Sequence, residues 1–132
     1  MKTIVAIFLT LLVAPVASAV IDTGENSVGV YFDENADVYC MEGVTESDMV
    51  TMYLVLTNPT FDILNGWECG IDLVGEALVL SLSFYGGYDP GPGPVPIDNL
   101  IVGLWTPYPT SIATPLVAIN LIYMGTDNGP ID

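Results

Sequence analysis

The sequence predicts an all-β fold, a two-sheet antiparallel β-sandwich of about seven short strands. Three observations predict it. Apolar residues recur with period two, the spacing that lines one face of a strand. Turn-forming residues separate the runs at short intervals. No segment carries a sustained helical stripe with a cap. About seven such strands in some 110 residues fit two packed sheets, each strand with one buried face and one wet face.

The chain has 132 residues. Residues 1–19 read as a secretory leader. Lys2 supplies the positive start, residues 4–13 form an apolar run broken by Thr10, and Ala17-Ser18-Ala19 offers small residues for cleavage. The run is short for a bilayer span, which favours cleavage over anchoring. Removing 19 residues from 132 leaves 113, enough for one domain with a real core over residues 20–132.

The strands follow in order. Val28, Val30 and Phe32 alternate with Gly29 and Tyr31. Residues 38–41 form a weaker run. Val50, Met52, Leu54 and Leu56 alternate with Thr51, Tyr53, Val55 and Thr57, and Asn58-Pro59 ends them. Asn65-Gly66 reads as a turn before Trp67, Cys69, Ile71 and Leu73. After Gly75-Glu76, Leu78, Leu80, Leu82 and Phe84 alternate with Val79, Ser81 and Ser83. Residues 85–96 are rich in Gly and Pro, which cannot sit inside a sheet, and read as a long surface loop. Residues 99–105 form another weak strand, and Pro107 and Pro109 mark a second loop over residues 106–110. Val117, Ile119, Leu121 and Tyr123 make the last strand, before a turn at Asp127-Asn128-Gly129-Pro130.

Charge excludes much chemistry. Lys2 is the single basic residue, there is no His, and all 16 Asp and Glu lie beyond residue 19, so that stretch sums to −16. It repels nucleic acid and anionic lipid, and salt stabilises it by screening. Without His, Ser–His and Cys–His nucleophiles are excluded. Two cysteines, Cys40 and Cys69, in an exported domain most simply form one disulfide. It would close a loop worth roughly 3–4 kcal/mol in the chain-entropy model; the alternative is two buried free thiols.

Four groups are chemical candidates. Asp22-Thr23-Gly24 matches the aspartic-protease triplet, but it stands two residues past the cleavage point and Glu25 follows it, so it reads as a polar turn. Asp33, Glu34, Asn35 and Asp37 cluster between strands and could ligate calcium, although their spacing is not that of an EF-hand. Asp127 and Asn128 make a second, smaller oxygen group. Tyr85, Tyr88, Trp105 and Tyr108 could form a sugar platform, with Asp89 and Asp98 accepting hydroxyl hydrogen bonds. Each group also has a plainer reading: a solvated acidic turn for the first cluster, rings closing the end of the core for the platform.

Residues 52–82 resemble bacterial cohesins and carbohydrate-binding-module sandwiches. The pattern is Tyr53-Leu54-Val55-Leu56, then Asn65-Gly66-Trp67, then Ile71-Asp72-Leu73 and Leu78-Val79-Leu80, with residues 116–124 similar to a late strand of the same pattern. The resemblance implies an immunoglobulin-like or cohesin-like sandwich with an extracellular binding or scaffold role and no catalysis. Cohesins continue with a further strand after that segment. The expectation here is a fragment or a minimal form of the domain, or an open edge completed by another subunit's strand. The function expected is a secreted, non-enzymatic structural or adhesion module outside a bacterial cell, with a protein or glycan partner, no nucleic acid, and no membrane insertion after cleavage. The alternatives are a self-assembling filament subunit joined by strand addition and a calcium-dependent carbohydrate-binding module.

Overall fold

The structure is a computed structural model and describes residues 22–90 and 97–125. The leader at residues 1–19, the turn at Asp127-Asn128 and part of the Gly/Pro-rich loop lie outside those residues. Among the described residues there is no helix. Six strands form: β1 (Ser27–Tyr31), β2 (Met49–Thr57), β3 (Ile63–Cys69), β4 (Ala77–Phe84), β5 (Leu100–Pro109) and β6 (Ala113–Tyr123). They make one four-stranded sheet in the order β1-β2-β6-β4 and one two-stranded sheet, β3-β5. Every pairing is antiparallel.

The two sheets share one core. Val50, Met52, Leu54 and Leu56 of β2, with Val117, Ile119 and Leu121 of β6, supply it from the larger sheet. Leu64 and Leu100 supply it from the smaller, and Trp67 and Phe84 pack on it. Those β2 and β6 side chains are the period-two positions, which is why they bury together. A second, smaller cluster forms on the other face of β1 and β2 from Tyr31, Ala36 and Val55. No buried side-chain nitrogen or oxygen lacks a hydrogen-bond partner among the described residues.

Several expectations are corrected. Residues 38–41 make only a single bridge, at Met41, so the described residues hold six strands rather than about seven. Asn65-Gly66 is not a turn but the middle of β3, which starts earlier and ends earlier than expected. A side chain at Gly66 would place its Cβ 2.7 Å from the Val102 carbonyl oxygen, so the glycine is there for close strand approach, at a register shift. Residues 106–109 are strand, not loop. Prolines are tolerated there because, among the described residues, β5 has a partner strand on one side only.

The phase of two strands also differs. On β1, Tyr31 is buried while Val28 and Val30 are 49% and 39% exposed. Val28 and Val30 pair with Leu56 and Leu54 and so share their face, but β1 is an edge strand that the two-stranded sheet leaves uncovered. On β4 the register shifts between Val79 and Ser81. Such a bulge moves later residues to the opposite face. Val79, Leu82 and Phe84 therefore pack on the core, and Leu78 and Leu80 are 58% and 47% exposed.

The expected disulfide is not formed. Both cysteines are free and half-buried, with Cys40 Sγ against its neighbour's Met41 carbonyl and Cys69 Sγ 3.4 Å from the Gly70 carbonyl. Cys40 lies on no strand, since residues 38–41 make only the bridge at Met41. β6 is interior, paired with β2 on one side and β4 on the other.

Candidate functional site

The acidic turn is built around one carboxylate. Asp33 Oδ2 accepts from the Asn35 N–H at 3.2 Å, and Asp33 Oδ1 accepts from the N–H groups of Asp37 and Val38 at 2.9 and 2.8 Å. This folds residues 33–38 back on themselves and drives Ala36, at a positive φ of 61°, fully out of solvent against Tyr31 and Val55. Glu34 points elsewhere: its Oε1 accepts from the Tyr85 hydroxyl at 2.5 Å. Of the four residues expected to gather around calcium, Asp33 thus places its carboxylate on the backbone and Glu34 on a phenol. Among the described residues no three acidic, His or Cys side chains are placed to hold a metal ion.

The aromatic group is partly assembled. Phe84 stacks on Trp67 with ring centres 6.2 Å apart, and Tyr88 meets Phe84 edge-on at 4.8 Å. Gly86, with φ of +74°, crosses so close to Leu104 and Tyr108 that an added Cβ would lie 3.2 Å from each. Tyr108 and Phe84 both pack on the core. Burial, and then the nearby Glu34, raise the Tyr85 and Tyr108 phenols above their ordinary value. Tyr108 therefore packs on the core and Tyr88 on Phe84, Tyr85 is held by Glu34, and Asp89 is exposed. Asp22 Oδ1 accepts from the Gly24 N–H at 2.8 Å, the polar turn expected of that triplet.

Trp105 stands apart, 91% exposed. It lies where the β3–β5 register jumps, between the Gly66–Gly103 and Leu64–Tyr108 pairs. Leu100 and Val102 are buried and Leu104 is half-buried, so Ile101, Gly103 and Trp105 take the outward positions. Ile101 pairs with Glu68, and exposed Ile63 pairs with Pro109. The outer face of this sheet exposes Ile63, Ile101 and Trp105, with Glu68 opposite Ile101 and, around Gly103, open space where a Cβ would meet nothing within 4 Å. Period two alone could have placed Ile101 and Trp105 on one face; it could not show that nothing covers them.

A shallow cleft of about 450 Å³ opens at a strand-end cluster, between the turn 58–62 and the turn 110–112, with Glu25 at its side. Nothing in the sequence points to it beyond the turn residues themselves. Its hydroxyls serve the turns: Thr110 donates to the Phe61 carbonyl, Ser111 to the Ala113 carbonyl, and Thr60 Oγ1 lies within hydrogen-bond distance of the Asn26 side chain.

Compared with protein-family models, with curated proteins and with solved structures, the chain matches none.

Proposed function

We propose that this chain is an exported, non-enzymatic β-sandwich of immunoglobulin-like or cohesin-like type, serving a structural or adhesive role at the exterior of a bacterial cell through a protein or glycan partner. The observation that carries the reading is the outer face of the β3–β5 sheet, where Trp105 is 91% exposed and Ile101 and Ile63 are exposed at other positions of the same two strands. Large apolar side chains grouped on a surface mark an interaction site, and an indole presents a flat apolar face with one polar donor. The acid-only surface agrees, since it keeps such a domain soluble and turns away nucleic acid and anionic lipid.

Two experiments test it. The purified protein is applied to a glycan array, with and without chelator, and to surface proteins of the producing cell. The reading expects a defined ligand whose binding Trp105→Ala abolishes at unchanged melting temperature. Binding to neither class, or binding that survives Trp105→Ala, would refute it. Fractionation with N-terminal sequencing tests export. The expected product begins at Val20 outside the cytoplasm; an intact leader in a cytoplasmic product would overturn that part.

A further inference from the structure

Trp105 is presented by a step in the smaller sheet. Between the Leu64–Tyr108 and Gly66–Gly103 pairs, β5 covers more residues than β3, and residues 104–107 stand opposite Asn65 alone. A bulge of this kind re-aims a side chain, and Trp105 on it is 91% exposed. Next along the outward positions of β5 comes Gly103, with open space where a Cβ would be. After it comes exposed Ile101, with Glu68 opposite on β3. Asn65, opposite the bulge, is exposed as well. The order along this face is an indole, a gap, an apolar side chain and a carboxylate.

We propose that the gap takes an arginine side chain of a basic protein partner, its stem over Gly103 and its guanidinium on the Trp105 indole. The proposal rests on the reading of this face as the binding surface and names the chemistry of what binds there. Charge selects the occupant. Beyond residue 19 the chain carries 16 Asp and Glu and no Lys, Arg or His, so it draws in a cation and turns away an anion. A second copy of the chain brings no cation of its own and is not the occupant. Trp105 selects the kind of cation. Indole is the best aromatic face for a positive charge, and a planar, weakly hydrated guanidinium stacks on it more readily than an ammonium. The N–H donors of that group suit the side-chain oxygens of Asn65 and Glu68, and its apolar stem suits Ile101. Exposed Ile101 and Ile63 on the same two strands favour a polypeptide, which carries apolar side chains beside its cations, over a neutral glycan.

Calorimetric titration with two blocked peptides tests this, one of alternating leucine and arginine, the other with citrulline in place of arginine. Citrulline keeps the shape and removes the charge. The arginine peptide is expected to bind at least about tenfold more tightly, and to weaken as salt is added. Charge alone would attract it anywhere on the molecule, so the deciding variants leave the charge unchanged. Trp105→Ala removes the indole and Gly103→Val fills the gap. Each is expected to weaken the arginine peptide about fivefold at unchanged melting temperature, within the range of a cation–indole contact. Leu78→Ala, on the larger sheet, is expected to leave binding unchanged. In the unaltered protein, the Trp105 indole N–H and the Gly103 amide should shift in nuclear magnetic resonance spectra when the arginine peptide is added. Arginine-peptide binding that survives both Trp105→Ala and Gly103→Val, equal binding of the two peptides, binding of neither, or unmoved Trp105 and Gly103 resonances overturns the proposal. A neutral glycan whose binding Trp105→Ala abolishes also overturns it, while leaving the reading of this face as a binding surface intact.

Discussion

Replacing Asp33 with Ala separates two roles for the acidic turn. In the structure its carboxylate takes three backbone N–H donors, at 3.2, 2.9 and 2.8 Å, and so holds the turn that seats Ala36 against Tyr31 and Val55. Hydrogen bonds to a charged acceptor are stronger than neutral ones, but these face solvent, so each sits at the low end, about 0.5–1 kcal/mol, and the longest contributes least. The total loss is roughly 1–2 kcal/mol. For a domain of this size that lowers the melting temperature by roughly 4–10 °C. Asp33→Asn keeps an acceptor without the charge and should lose about half as much. The assay is thermal melting by circular dichroism, in chelator and then with calcium or magnesium at equal ionic strength. Both ions should stabilise the protein equally, by screening. An unchanged melting temperature for Asp33→Ala in chelator, or a rise with calcium beyond that with magnesium that Asp33→Ala removes, would refute the turn-holding role.

Four further outcomes are expected. Gly66→Ala should cost about 1–3 kcal/mol in urea unfolding, because its Cβ would meet a backbone oxygen that cannot rotate away; a neutral effect would contradict the close strand approach. The Thr45 backbone N–H, and then the Thr45 hydroxyl, hold the Asp48 carboxyl below its ordinary value of 3.8. A folded pKa below the unfolded one gives stability that is present above 3.8 and lost as pH falls through the folded value, so the gap in melting temperature between the protein and Asp48→Asn should narrow in acid; a constant gap would contradict it. Tyr85 is raised above 10, first by burial and then by Glu34, so it should stay protonated at pH 10 and Tyr85→Phe should leave the tyrosinate absorbance there unchanged; a drop of one full tyrosine share would contradict it. The denatured protein should react with a thiol reagent at both Cys40 and Cys69 without prior reduction; a product labelled only after reduction would contradict the free thiols.

The strands were legible where packing enforces period two. β2 and β6 are the two inner strands of the larger sheet, and their alternating apolar residues bury as expected. The pattern misled where a strand lies at an edge or bulges. Val28 and Val30 have the right face but no cover, and the extra residue at Leu80 reverses the phase of β4 midway. Local turn chemistry misled at Asn65-Gly66, because a glycine required by a nearby carbonyl looks the same in sequence as one required by a turn. Pro107 and Pro109 looked like loop because strand membership at an edge depends on the absence of a second partner, which is a tertiary fact. The candidate residues divide in the same way. Acidity and aromaticity are visible in sequence, but whether a carboxylate is used by its own turn, like Asp33, or a ring is left in solvent, like Trp105, depends on what folds over it.

The placement of β6 between β2 and β4 carries the architecture, since it joins the larger sheet and leaves β4 at its edge. Cross-strand nuclear Overhauser effects from β6 test it most directly. Ile119 should show backbone contacts to Met52 on one side and Leu82 on the other, and Leu121 should do so to Val50 and Val79. A β6 with contacts on one side only, or with β3 or β5 as its neighbour, would contradict the account.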